Sequence, residues 1–223
     1  MNDSKPGSGP PASLSVRALA LIPKARILGL PGDPRLSAAQ RNIFAEADER
    51  RRHLLPHELD HLSGNPHSAA RLVGILQPEA EALVARARRQ LLEEQPGLIQ
   101  AGGGLYPPFR AAACWRDLWQ FLRCVLYGAA SGIVDFTSPR GVQALELLYQ
   151  ELHVPLGAMV RGLELLKQHT ITIGPIHQPT GETVVACFDH LIGSLQGFRA
   201  SRSRNISPEP GVSQPGSGQV SQA

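Results

Sequence analysis

The chain has 223 residues, 42% of them hydrophobic, and a formal net charge of +3. That length carries one domain with a sizeable core, and so small a positive charge gives no reason to expect a nucleic-acid partner. No run approaches the roughly 20 apolar residues that a membrane span requires. Arg17, Pro23, Lys24 and Arg26 cut the most leader-like stretch, residues 14–30, into short pieces with no clear cleavage site. Cys114, Cys124 and Cys187 cannot all pair with one another, which argues against a secreted disulfide framework and for a cytoplasmic protein with reduced thiols.

Residues 1–36 are rich in Pro, Gly and Ser around one apolar patch, residues 19–30, and read as a flexible arm whose patch docks on the domain or on a partner. The folded part spans 37–198. Residues 37–52 form a charged helix unbroken by Pro or Gly. Pro56 opens a short helix that ends at the turn Ser63-Gly64-Asn65-Pro66. A short amphipathic helix follows over 68–76. Pro78 suits the first turn of the next, where Ala80, Leu83, Val84, Ala87 and Leu91 recur at three and four up to Glu94.

Gly102, Gly103 and Gly104 mark a loop, and Pro107 and Pro108 start a long helix through Tyr127. Later helices cover 138–152, 155–168 and 181–196. Gly141, Gly157 and Gly162 inside them each cost about 1 kcal/mol relative to Ala, which predicts close approach of a neighbour. Residues 199–223, with Arg199, Arg202 and Arg204, read as a disordered, solvated tail. β-branched alternation is nearly absent. The expected class is all-α, with crossed short helices rather than a long bundle.

The long helix carries the chemistry. At 3.6 residues per turn, Arg110, Cys114, Asp117 and Phe121 share one face: a cation, a thiol, a carboxylate and an aromatic ring in a row. Ala111, Ala112 and Ala113 leave room beside the thiol. A lone helical cysteine is usually inert core, but charged neighbours of a buried thiol require partners of their own. Cys124 lies toward the Asp117 side and could border the site, though core packing is the reading preferred for it, and Cys187 reads as core.

The run Cys114-Trp115-Arg116-Asp117 resembles the chromophore-attachment motif of the phycobiliproteins, the allophycocyanins especially. Tyr106, Leu122-Arg123, Tyr127-Gly128, Ser131-Gly132, Tyr149, Leu152, the segment from Val154-Pro155 to Val160, Gly162 and Lys167 are similar to the family pattern, with no gap from Cys114 to Lys167. Glu58-Leu59-Asp60 and Phe188-Asp189 extend the resemblance to about residues 40–197. It implies a globin-like fold with an extra N-terminal helical pair used for dimerisation, as a homodimer or a heterodimer with a related globin-like subunit. It implies a linear tetrapyrrole (phycocyanobilin or a related bilin) held as a thioether on Cys114, with or without a bilin lyase. Asp117 accepts hydrogen bonds from the inner pyrrole nitrogens, and Arg116 and Arg110 pair with the propionates, for which Arg geometry is suited. Phe121 and Tyr106 complete the expected site. Helix geometry alone places Arg116 off the Cys114 face, so its role comes from the resemblance. Gly104, Trp119 and Gln120 depart from the family pattern. Together with the long arms they point to a paralogue outside the light-harvesting rods and cores, such as the bilin biosynthesis-associated globins. The protein is not expected to be an enzyme.

Three alternatives compete. The segment from His57 to His61 matches H-E-x-x-H, the zinc metalloprotease signature. Pro56 opens its helix just before the first His and Gly64 closes it within about one turn, and only His67 offers itself as a third ligand. A haem globin needs a proximal His, and His153, His169 and His190 lie near helix ends or in the last helix. A chromophore-free interaction module would have no use for the set Cys114, Arg116 and Asp117.

Overall fold

The computed structural model describes residues 14–65, 67–173 and 179–204. Nine α-helices occur among them: α1 (Val16–Leu21), α2 (Ala38–Glu49), α3 (Pro56–Leu62), α4 (Ala70–Leu76), α5 (Ala80–Glu94), α6 (Pro108–Ser131), α7 (Pro139–Glu151), α8 (Leu156–Thr170) and α9 (Pro179–Arg204). This is the globin-like, all-α architecture expected. Its centre is α6. Pro108 sits at its first position, where its missing N–H is no loss. Every residue from Phe121 to Ser131 is buried, and Gly132 ends the helix in the left-handed conformation at φ 74°. Helices α5 and α8 pack together, and α9 lies across α6 and α8. A β-carbon on Gly162 would meet the Leu118 side chain at 3.2 Å, so this glycine lets α8 approach α6 closely.

Helix α2 starts with a reciprocal cap. The Ser37 N–H donates to Gln40 Oε1 at 3.0 Å, and the Gln40 N–H donates to Ser37 Oγ at 3.2 Å. The helix buries Phe44 and Ala47 in its own chain, with Phe44 against the Tyr127 ring at 5.8 Å between centroids.

Two boundaries differ from the sequence expectation. Residues 14–36, expected as flexible arm, carry α1 and two 3₁₀ turns and bury Ala18, Ile27, Leu28, Leu30 and Leu36. The apolar patch has a surface to bury against, chiefly α7, and this offsets the ordering entropy that composition alone could not. Residues 199–204, expected in the tail, continue α9, since no Pro or Gly interrupts them. Residues 1–13 and 205–223, the remainder of the two expected arms, lie outside the described residues.

Candidate functional site

A cavity of about 580 Å³ opens beside α6, within the range of about 300–1,000 Å³ usual for small-molecule sites. The face predicted from periodicity is its floor: Arg110, Cys114, Asp117 and Phe121 all line it, joined by Cys124. Helix α7 and its C-cap residue supply another wall through Leu145, Leu148, Tyr149 and Leu152, a stripe at three and four. Gly104, Leu105, Val154 and Pro155 form the rim at one end, and Asp48 and Arg51, at and after the end of α2, stand at the other.

Cys114 is 5% exposed, and burial, helped by the Asp117 charge, pushes its thiol up to about 12. Burial likewise raises the Asp117 carboxyl, against the hydrogen bond from Tyr149 and the charge of Arg116. The Tyr149 hydroxyl donates to Asp117 Oδ2 at 3.0 Å. Burial and then the Asp117 charge hold the Tyr149 phenol well above its ordinary range, so it remains a donor. Cys124 is also buried and its thiol is pushed up to about 12, by burial first. Cys187 is fully buried away from the cavity.

Five arginines and two aspartates stand in these otherwise largely apolar walls. Arg110 lines the floor but braces the rim: its Nε donates to the Gly104 carbonyl at 3.1 Å and its Nη2 to the His153 carbonyl at 2.8 Å. Arg116 is exposed and reaches the cavity from the flank of α6, as its long stem permits. Arg123, 4% exposed, donates Nη2 to Asp48 Oδ1 at 2.7 Å and Nε to Gln120 Oε1 at 3.0 Å. Its Nη1 is buried and has no hydrogen-bond partner among the described residues. The guanidinium also lies over the Tyr127 ring, 5.0 Å from its centroid, so its charge is met by Asp48 and by that ring.

Tyr106 does not belong to this set. Its side chain is 46% exposed and does not line the cavity, because the chain turns into α6 immediately after it. Residues not singled out as site members but found in the cavity wall are Tyr149, Arg123, Asp48, Arg51 and Arg26. The spacing of Leu145, Leu148, Tyr149 and Leu152 was the available signal for the first. The others depend on contacts distant in sequence.

The H-E-x-x-H segment makes no metal centre. Arg52 holds Glu58 through two hydrogen bonds, Nη1 to Oε2 and Nη2 to Oε1, both 2.7 Å, and the Leu55 N–H donates to Oε2 at 2.7 Å. Both oxygens thus serve the start of α3, while His57 and His61 are exposed. No group of three metal-capable side chains occurs among the described residues. No histidine lines the cavity, which leaves a haem without a proximal ligand there.

Fold and cavity define a class on their own: a helical protein with a largely apolar cavity into which a thiol, a carboxylate and several arginines are set. The chain matches the family model described as Phycobilisome protein over residues 42–195. It is 29% identical over 156 residues to an allophycocyanin alpha chain of Anabaena cylindrica, covering 69% of this chain and 96% of that protein. It is 35% identical over 148 residues to a C-phycocyanin beta chain of Galdieria sulphuraria, covering 65% and 85%. A phycobiliprotein beta chain of Mastigocladus laminosus is 39% identical over 121 residues, covering 54% and 72%. The chain belongs to the phycobiliprotein family. Proteins of this family are pigment proteins of light harvesting and not enzymes.

Proposed function

We propose that this protein carries one linear tetrapyrrole, phycocyanobilin or a related bilin, bonded to Cys114. The observation that carries the proposal is the meeting, in one largely apolar cavity, of a buried thiol, a half-buried carboxylate one turn away and five arginines. A bilin is a conjugated apolar strip with N–H donors at its middle and two carboxylates, and each feature has a counterpart here. Asp117, oriented by Tyr149, accepts from the inner pyrrole N–H groups and favours the protonated pigment. Arg116, exposed on the flank of α6 and lining the cavity, pairs with a propionate. Arg110 acts mainly by holding the rim. Phe121 supplies apolar surface to the ring plane.

Attachment is an addition. The Cys114 S–H adds across the exocyclic double bond on ring A; the C–S bond forms and the thiol proton ends on the adjacent carbon, with no oxidant or reductant. A thiol pushed up to about 12 is a poor nucleophile at neutral pH, which favours a lyase partner that lowers this barrier. The macromolecular partner is a second copy or a related globin-like subunit. Leu55 at 42% and Ile75 at 51% exposure, beside a groove lined from α3 and α4, give that subunit an apolar surface. No described helix is long and apolar enough to cross a membrane, and three free buried cysteines suit a reducing, cytoplasmic compartment.

The test is co-expression with phycocyanobilin synthesis, followed by absorbance and zinc-enhanced fluorescence on a denaturing gel. A coloured band that survives denaturation and is absent from Cys114→Ala is expected. A colourless protein that refuses several bilins would overturn the proposal in favour of a chromophore-free interaction module.

A further inference from the structure

The outer side of the cavity is built from residues that precede the family match, which begins at residue 42. Leu14, Ile22, Ala25, Arg26 and Ile27 all line it. This segment is fastened at both ends. At the first, Ser15 Oγ accepts the Ala18 N–H at 3.0 Å and donates to Glu151 Oε1 at 2.7 Å, at the end of α7, and Ala18 is fully buried. At the second, the Gly29 N–H donates to the Phe136 carbonyl and the Ser138 N–H to the Ile27 carbonyl, each at 2.7 Å, around an antiparallel bridge between Leu28 and Thr137.

Two glycines make the second fastening possible. A β-carbon on Gly141 would lie 1.8 Å from the Arg26 carbonyl oxygen, and one on Gly29 would lie 2.9 Å from the Thr137 backbone. Neither distance is tolerable for a side chain, so α7 and the segment are fitted to each other at backbone contact. The stretch between the fastenings crosses the mouth of the cavity and adds apolar side chains to it, with Arg26 at its edge pairing with Glu49 Oε2 at 2.7 Å.

We infer that residues 14–27 are part of the pigment site itself, an added wall that closes the outer side of the cavity and lets one chain shield its tetrapyrrole from water; the inference rests on the bilin reading above. It assigns a binding role to a segment that the shared family region does not contain.

Two variants test it: deletion of residues 1–25, and Gly141→Val, which pushes against the Arg26 and Ile27 backbone and displaces the second fastening without replacing any lining side chain. The first readout uses the pigment-free protein. Alkylation of Cys114 by N-ethylmaleimide is followed by peptide mass spectrometry, with Cys187, buried outside the cavity, as internal reference. Both variants are expected to speed Cys114 alkylation at least tenfold and leave Cys187 unchanged. The second readout uses the bilin-loaded protein: the variants keep the covalent band but lose emission several-fold and bleach faster with ferricyanide. Cys114 alkylation at the wild-type rate in either folded variant overturns the inference. So does parallel acceleration of Cys187, which would assign the exposure to general loosening. A wild-type protein that takes up no bilin overturns the pigment reading, while the alkylation rates still judge the wall.

Discussion

The Tyr149 hydroxyl reaches from α7 to α6 and donates to Asp117 Oδ2 at 3.0 Å. This bond fixes the carboxylate that faces the cavity, and it only partly offsets the burial that raises that carboxyl. The pigment-free protein therefore carries a carboxyl group whose charged form burial disfavours.

A trade-off follows. Asp117→Asn keeps an acceptor for Tyr149 and removes the charge that burial disfavours, so it stabilises the pigment-free protein near neutral pH. In the loaded protein the same change weakens and blue-shifts the red band. Asp117 has a folded-state value raised above the unfolded one, about 3.9. Its stabilising contribution is complete below that value and is lost as pH rises through the folded-state value. Thermal melts of both proteins from about pH 4 to about pH 7 should diverge in that direction. Parallel curves would remove the basis for the buried-carboxylate account.

Cys114 and Cys124 both line the cavity, and both thiols are pushed up to about 12, so acidity does not choose between them. Position does. Cys114 stands one turn before Asp117, whereas Cys124 lies near the Arg123–Asp48 pair at the other end. Cys114→Ala should abolish covalent colour on a denaturing gel, and Cys124→Ala should keep it. The reverse pattern would move attachment to Cys124.

The same raised thiol sets a pH dependence for attachment. Below a value of about 12 the thiolate fraction grows with pH, so uncatalysed attachment should speed up about tenfold per pH unit. Mixing pigment-free protein with phycocyanobilin at about pH 7 and about pH 9 measures this through the growth of denaturation-resistant colour. A rate independent of pH would show that a step other than thiol deprotonation limits attachment.

The floor of the site was legible because it is local. Arg110, Cys114, Asp117 and Phe121 share one face through helical periodicity alone, and they do line one cavity. The rest is long-range. Nothing local in the Pro- and Gly-rich stretch reports that Ile27 will bond Ser138 or that Ser15 will bond Glu151, so its order was not readable. Arg123 enters the site because Asp48, 75 positions away, holds one side of its guanidinium. Tyr106 shows the converse: nearness in sequence to the cysteine helix does not put a side chain in the cavity when the chain turns just after it.

The H-E-x-x-H segment gives a last prediction in which a cap and a metal site part ways. Burial pushes the Glu58 carboxyl up, but hydrogen bonds from Arg52 and the Leu55 amide, with the Arg52 charge, outweigh it and hold the group below its ordinary range. Its stabilising contribution is therefore complete above the unfolded value, about 4.3, and is lost as pH falls through the folded-state value. Glu58→Ala leaves Arg52 with only the His53 carbonyl and the more distant Glu46, and should cost about 2 kcal/mol near neutral pH. His57→Ala and His61→Ala, both at exposed positions, should each stay within about 0.5 kcal/mol. Glu58→Gln should flatten the acid side of the stability curve. Urea melts across that range, with and without a chelator, make the comparison. A loss of stability in the histidine variants that matches the effect of the chelator would restore a metal to this helix; equal melts with and without it would leave Glu58 as the cap of α3.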